Sequence, residues 1–196
     1  MPLIDPGPLE SRRLLLRRVE AKDLADLGDV NGDDAVTRFL PYATWRTPND
    51  GTSWFDRMEA IQATGTALQL VVVERSSERA IGTCLVFRHD EGSARAELGY
   101  VLGRAHWSRG YMREALGVLL AGAFGPMNLR RIEAEVDPRN GASQRLLLHL
   151  GFQKEGRLRE RWVAKGETKD VDAFGLLRHE WTSADRREAT EPVQRA

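Results

Sequence analysis

The stretch ELGYVLGRAHWSRGYMREALGVLLAGAF, residues 97–124, decides the fold of this chain. It begins as a short apolar strand, passes through a turn rich in glycine and arginine, and continues with apolar residues at every third or fourth position. That periodicity predicts a helix with one buried face, so its N-terminus must point at the end of the preceding strand. We expect the rest of the chain either to support this strand, turn and helix or to line the site where a substrate binds.

The turn before this helix has the features of an anion-binding site. The first four amide groups of a helix lack intrahelical partners, and the aligned peptide dipoles put partial positive charge there. Arg109 adds a cation, and Gly110 lets the backbone approach a ligand closely. A diphosphate requires this arrangement. An ordinary turn glycine beside a solvated arginine would explain the same residues.

Two familiar nucleotide-binding signatures are absent from the sequence. There is no G-x-x-x-x-G-K-S/T run, and no G-x-G-x-x-G follows the first predicted strand. A diphosphate held at this turn would therefore belong to a ligand other than those of P-loop or Rossmann proteins.

Composition limits the classes of function. The chain has 196 residues and is 41% hydrophobic, which suits one domain with an ordinary core. Lys and Arg total 29, as do Asp and Glu, so no net basic field favours nucleic acid and we expect no such partner. The single cysteine, Cys84, excludes a disulfide framework and fits a reducing cytoplasm. No apolar run approaches the ~18 residues that span a bilayer, so we expect no membrane association.

The histidines do not predict a metal site. His106 borders the anion-binding turn, where packing is a better explanation than catalysis. The four histidines lack the i, i+4 spacing and the acidic neighbours that metal ligands need. They are His89, His106, His149 and His179. We therefore expect no metal.

Hydrophobic periodicity divides the chain into about seven strands with helices between them. Residues 1–182 are predicted to form one domain, and the polar residues 183–196 a disordered tail. Thr47 and Pro48 mark the start of a helix, and Gly151 lies just past the end of another. The polar segments between the second, third and fourth strands indicate an antiparallel meander. The predicted strands are residues 14–19, 68–74, 80–87, 94–102, 130–136, 153–163 and 169–177.

A second motif follows the fifth predicted strand, and with it the chain resembles the GNAT acetyltransferase superfamily. Asn140-Gly-Ala-Ser143 opens a helix that ends in Leu150-Gly-Phe, similar to the family's N-x-x-S…L-G-F element. Residues 107–112, WSRGYM, correspond to its pyrophosphate loop, Q/R-x-x-G-x-G/A. ELGYVL at 97–102 and GLLRHEW at 175–181 are typical of the RimJ/RimL type, which acetylates protein N-terminal amines. The resemblance covers about residues 10–182.

The chain departs from the family pattern at three positions. Trp107 stands at the loop's usual Gln/Arg position and Met112 at its second small position. Because binding there relies mainly on backbone amides, these changes weaken the motif without removing its function. The tyrosine that many members place seven residues after the asparagine is Leu147 here, so protonation of the departing thiolate needs another donor.

The resemblance implies an α/β (α+β) fold with helices on both faces of a mixed, mostly antiparallel sheet, splayed at its fourth and fifth strands. It implies acetyl-CoA in that gap, with the pantetheine on the backbone of Tyr100, Val101 and Leu102 and in contact with Asn140. It places the diphosphate on the amides from Arg109 to Arg113. The residues implied to contact the cofactor are Tyr100, Val101, Leu102, Arg109, Gly110, Tyr111, Met112, Arg113, Asn140, Ser143 and Arg145.

Two carboxylates are candidates for the base that takes a proton from the amine. Glu97 belongs to the E-L-G-Y pattern, and Glu135 matches the base of RimI-like relatives. Alternation along the strands leaves both choices open. An ion pair with Arg95 or a neighbouring arginine would equally explain Glu97, and a solvated sheet face would explain Glu133 and Glu135.

Ser143 is the candidate for protonating the thiolate, because its hydroxyl lies one helical turn from Asn140. Its alternative role is that of a first-turn helix residue bonded to backbone. Asn140 alone would also be a good N-cap, and this role is compatible with a ligand contact.

The sequence thus predicts an acetyl-CoA-dependent N-acetyltransferase in which an amine attacks the thioester directly. A protein N-terminal amine is the first choice of acceptor. A small amine, such as an amino acid, polyamine or antibiotic, is the second. A non-catalytic acyl-CoA-binding module is the rival from another class, and a homodimer is a further hypothesis.

Overall fold

A computed structural model describes residues 2–181, which contain one eight-stranded sheet in the order β1-β2-β3-β4-β5-β6-β8-β7. The predicted tail, residues 183–196, lies outside the described residues. The strands are β1 Leu9–Glu10, β2 Leu14–Arg18, β3 Leu68–Glu74, β4 Arg79–Asp90, β5 Arg95–Leu102, β6 Arg131–Val136, β7 Gln153–Ala164 and β8 Glu167–Leu177. The helices are α1 Leu24–Asn31, α2 Asp34–Thr37, α3 Pro48–Ala63, α4 Tyr111–Phe124 and α5 Gly141–His149.

The predicted mixed, mostly antiparallel sheet is confirmed, with one strand more than expected. The seven predicted strands are β2 to β8, so the fourth and fifth of them are β5 and β6. The additional strand, β1, is two residues long and pairs Leu9 with Leu16 of β2. A two-residue strand is too short to carry a periodic pattern, which is why the sequence does not reveal it.

Helices cover both faces of the sheet, as expected, and β3 shows why its sequence is apolar throughout. Leu70 and Val72 pack in the main core, which includes the buried face of α4. Val71 and Val73 point the other way and pack with Trp54 of α3. A strand buried on both faces reads as a continuous apolar run rather than an alternating one.

Strands β5 and β6 form the parallel pair of the sheet, and their pairing is short. It runs from Arg95 opposite Arg131 to Glu97 opposite Glu133, and then stops. Beyond this point β5 stays paired with β4 as far as Leu102, and β6 stays paired with β8 as far as Val136. The two strands therefore diverge at their C-terminal ends and leave the predicted gap in the sheet.

One glycine in β4 is required by the close approach of β5 along the wall of this gap. A Cβ atom at Gly82 would overlap the carbonyl oxygen of Val101 and lie 3.1 Å from the Cα of Leu102. Both contacts are backbone atoms of β5, which cannot move aside as a flexible side chain would. Gly156 in β7 is different, since a Cβ there would meet nothing within 4 Å.

We therefore expect Gly82→Ala to lower the free energy of unfolding by about 1–3 kcal/mol, the usual cost of overpacking. Gly156→Ala is the matched control, and we expect it to change stability by less than about 0.5 kcal/mol. Urea denaturation followed by circular dichroism measures both. Equal denaturation midpoints for the two variants would contradict the close contact between β4 and β5.

Candidate active site

A cavity of about 480 Å³ lies at the C-terminal end of β5, next to the start of α5, the helix that follows β6. Its walls are the end of β5, the loop before α4, the start of α5 and one side of α2. The predicted cofactor residues line it, with the exception of Arg109. Sequence reasoning did not include Val36 and Leu40, which together with Phe39 close the cavity from the α2 side.

The N-terminus of α4 presents unpaired amide groups to this cavity. Gly110 precedes the helix in the left-handed conformation, with φ of 77°, and no side chain caps the helix. The N–H of Glu114 makes the bond to the Gly110 carbonyl. The amides of Tyr111 and Met112 therefore have no intrahelical acceptor, and both residues line the cavity. This geometry suits an anion such as a diphosphate.

Arg13, which the sequence did not single out, braces the anion-binding loop. Its Nε donates to Glu114 Oε2 at 2.6 Å, and its Nη1 donates to the carbonyl of Arg109 at 3.0 Å. The same guanidinium lies 4.2 Å from the centre of the Tyr111 ring, over which Arg109 also lies at 5.2 Å. Arg109 thus supports the loop by stacking. Arg13 belongs to a distant segment, so no local pattern could have linked it to the site.

Only alternate residues at the end of β5 turn their backbone toward the gap. The N–H of Gly103 donates to the carbonyl of Ile81 in the adjoining segment, so the backbone groups of Val101 face β4. Those of Tyr100 and Leu102 face the gap, where the Leu102 carbonyl accepts the Trp107 indole N–H at 2.8 Å. Of the three residues expected to offer backbone groups, Tyr100 and Leu102 thus face the gap and Val101 faces β4, because backbone direction alternates along a strand.

The hydroxyl of Ser143 lies at the start of α5 and is paired with a tyrosine hydroxyl. Asn140 caps the helix, since its Oδ1 accepts the Ser143 N–H at 3.1 Å. Ser143 Oγ lies 2.7 Å from Tyr100 Oη, and burial raises the pKa of Tyr100 to about 12. Leu147 is fully buried in the core. The structure thus brings a phenol to the gap from β5 rather than from α5, a role for the Tyr100 side chain that the sequence did not reveal.

Glu97 lies on the opposite face of β5 from Tyr100, because side chains alternate along a strand. It is 8% exposed, and its Oε2 accepts Arg88 Nη1 at 2.6 Å. Burial raises the pKa of Glu97 above its ordinary value, while the hydrogen bond from Arg88 opposes that rise. Arg95, an expected partner, instead pairs with Glu133 of β6 at 2.9 Å.

Glu135 lies on the same sheet face but has both oxygens engaged. Its Oε1 accepts Arg161 Nε at 3.0 Å, and its Oε2 accepts the Trp162 indole N–H at 2.8 Å. Its side chain is 9% exposed, so the expected solvated face is wrong for this residue. Glu97 differs because, within residues 2–181, its Oε1 accepts no hydrogen bond.

Other reactive groups near the site are packed into the structure. Cys84 is fully buried, and burial raises the pKa of its thiol to about 12. His106 packs edge-on against the Tyr111 ring at 5.5 Å. Within residues 2–181 no three His, Cys, Asp or Glu side chains gather as a metal site would require. Over the same residues, every helix is too short or too polar to span a bilayer.

Comparison with known proteins agrees with this geometry. The profile of the family described as "Acetyltransferase (GNAT) domain" matches residues 13–153. The uncharacterized N-acetyltransferase p20 of Bacillus licheniformis is 36% identical over 173 residues, which is 88% of this chain and 97% of p20. The [Ribosomal protein uS5]-alanine N-acetyltransferase of Escherichia coli is 27% identical and aligns with 89% of this chain and 92% of its own length.

A solved structure shares the fold. Mycobacterium smegmatis RimJ in complex with CoA-disulfide superimposes with a TM-score of 0.82 over 93% of this chain and 91% of that one, at 23% identity. The splayed sheet, the uncapped helix at its gap and the family match lead to one conclusion. The chain belongs to the GNAT acetyltransferase family and is an acetyl-CoA-dependent N-acetyltransferase.

Proposed function

We propose that the protein transfers the acetyl group of acetyl-CoA to the N-terminal amine of a protein, with a small amine as the alternative acceptor. The observation that carries the proposal is the position of two proton-handling groups on opposite faces of β5, where the gap begins. Glu97 lies on one face, and the Tyr100–Ser143 pair lies on the other. The protein acceptor is supported by the E. coli relative, whose name gives a ribosomal-protein alanine as its target.

The chain offers acetyl-CoA a continuous set of contacts. The diphosphate would bind the amides of Tyr111 and Met112, and Arg145 lines the same cavity. The pantetheine would bind the backbone groups of Tyr100 and the free N–H of Leu102. Asn140 keeps its capping bond to Ser143 and also lines the cavity, which supports the proposed contact with the pantetheine.

We assign the base to Glu97 rather than Glu135. A base needs a free oxygen that can receive the amine proton, and its pKa should lie near the working pH. Glu97 meets the first condition with Oε1 and approaches the second because burial raises its pKa. Glu135 would first have to break its bonds to Arg161 or Trp162.

We assign the proton donor to Ser143, with Tyr100 behind it. Acetyl-CoA supplies an activated acetyl group as a thioester. The amine nitrogen bonds to the acyl carbon as the carbon–sulfur bond breaks, and Glu97 takes the amine proton. Ser143 gives a proton to the sulfur and takes one from Tyr100, 2.7 Å away. Exchange with water after product release returns a proton to Tyr100 and removes the one held by Glu97. This relay takes the place of the tyrosine that Leu147 replaces.

The diphosphate seat can be tested at Gly110. We expect Gly110→Asp to raise the KM for acetyl-CoA at least about tenfold, equivalent to roughly 1.4 kcal/mol, because a carboxylate would repel the phosphates. Gly110→Asn is the matched control, since it adds a side chain of the same size without charge and asparagine tolerates the left-handed conformation. Steady-state kinetics with acetyl-CoA varied measures both. The same KM for acetyl-CoA in the two variants would contradict the proposed diphosphate-binding site.

The assignment of the base can be tested by pH dependence. We expect kcat/KM to fall as the pH drops through the raised pKa of Glu97, because only the ionised carboxylate accepts a proton. Glu97→Gln should lower kcat about 100-fold or more and remove this acid limb, while Glu135→Gln should keep it. The experiment is run with two acceptors whose amine pKa values differ. A fall in kcat/KM caused by Glu97 occurs at the same pH with both acceptors, whereas a fall caused by protonation of the amine shifts with the amine pKa. Loss of the acceptor-independent fall in Glu135→Gln alone would reverse the assignment.

The proton relay can be tested by a double-mutant cycle. We expect Ser143→Ala to lower kcat about 10- to 100-fold and Tyr100→Phe to lower it less, with little change in the KM for acetyl-CoA. Because the two hydroxyls act in series, the double variant should be no slower than Ser143→Ala. Additive losses would instead show that the two residues act independently. Circular dichroism confirms that each variant is folded.

A further inference from the structure

Strands β4 and β7, which lie outside the β5–β6 pair on either side of it, carry bulges with a residue in the left-handed conformation. The register of β4 shifts between Phe87 and Asp90, where Arg88 has φ of 51°. The register of β7 shifts between Leu158 and Trp162, where Glu160 has φ of 50°. Bulges redirect side chains, and left-handed residues other than glycine concentrate at functional sites because they are strained.

Both bulges direct an arginine to Glu135, and one of these arginines also binds Glu97. Arg88 Nη1 lies 2.6 Å from Glu97 Oε2 and 3.9 Å from Glu135 Oε1. Arg161 Nη2 lies 2.9 Å from that same Glu135 oxygen. The result is a chain of alternating charges, Glu97–Arg88–Glu135–Arg161, assembled from four different strands of the sheet.

The four charges in this series of ion pairs sum to zero, but the carboxylates are more deeply buried than the guanidinium groups. The side chains of Glu97 and Glu135 are 10% and 9% exposed, whereas those of Arg88 and Arg161 are 55% and 47% exposed. An incoming molecule therefore meets guanidinium groups before carboxylates. Each guanidinium has five N–H donors in a planar fork that suits a carboxylate or phosphate. Within residues 2–181, Nε and Nη2 of Arg88 and Nη1 of Arg161 have no hydrogen-bond acceptor.

Resting on the proposed function, we infer that the acceptor carries an anionic group close to its amine. The amine reaches Glu97, and the anionic group binds the exposed donors of Arg161 and Arg88. An α-amino acid and a protein N-terminus with an acidic residue next to it both have this chemistry. A polyamine does not, because its second cation would meet the two arginines and be repelled.

The test compares acceptors that differ in the charge next to the amine, and kcat/KM is expressed per unprotonated amine because that charge also changes the amine pKa. One pair is a peptide with glutamate after its N-terminal serine and the same peptide with glutamine there. A second pair is glycine and glycinamide, and spermidine is the cationic probe. Release of CoA thiol gives kcat/KM for each. We expect the anionic member of one pair to have a kcat/KM at least about tenfold higher than that of its neutral partner. If this is the peptide pair, the acceptor is a protein N-terminus, and if it is glycine and glycinamide, the acceptor is an amino acid.

The outcomes separate the inference from the function on which it rests. Equal rates within both pairs, or spermidine as the fastest acceptor, would overturn the inference and leave the acetyltransferase proposal standing. No turnover of any amine would overturn both.

Variants of the arginines test the contact itself. We expect Arg161→Gln and Arg88→Gln each to reduce the ratio of anionic to neutral kcat/KM toward one, mainly through the acceptor KM, and Arg161→Lys to restore part of it. Arg159→Gln changes an exposed arginine in the same bulge and should keep the ratio. Thermal melting establishes that each variant is folded. A ratio that survives both glutamine substitutions would overturn the inference.

Discussion

The site depends on the short parallel pairing of β5 with β6, which covers three residue pairs and ends at Glu97. Each strand keeps an antiparallel partner on its outer side, so the two can part without either losing its place in the sheet. The parting leaves the backbone groups of Tyr100 and Leu102 without a strand partner. A buried backbone group without a hydrogen-bond partner is costly. An extended ligand such as a pantetheine chain can supply the missing partners by lying along β5 as an added strand would.

The pleat of β5 also decides on which face of the sheet the proposed base and the proposed proton donor lie. Side chains alternate between faces, so Glu97 and Tyr100, three residues apart, lie on opposite faces of the sheet. The side with Tyr100 packs against α4 and α5, where Ser143 and the uncapped helix amides lie. The side with Glu97 receives Arg88 from β4 and Arg161 from β7. Proton removal and proton return are thereby separated by the thickness of one strand.

The protein has no net charge, and the positive charge that would bind an anion is concentrated at particular places. The anion-binding loop needs no cluster of lysines, since the amides at the start of α4 and the dipole behind them supply the positive end. Arg13 stacks on Tyr111 and bonds Glu114, so it positions that loop. On the other face, buried carboxylates are each held by an arginine, and these arginines present their remaining donors to the acceptor side.

The sequence by itself determined the order of strands and helices, the strand–turn–helix at residues 97–124, Gly110 before α4 and Asn140 as the cap of α5. These features are local, because they follow from side-chain periodicity, from caps and from the φ values that glycine allows. Only the tertiary structure decided that Arg13 braces the loop, that Tyr100 meets Ser143 and that Arg88 and Arg161 converge on Glu135. Each of these contacts joins segments far apart in the chain. Two of them pass through bulges, which break the alternation on which sequence reasoning relies. The choice between Glu97 and Glu135 also belongs to the tertiary structure, since it rests on which carboxylate oxygen is left without a donor.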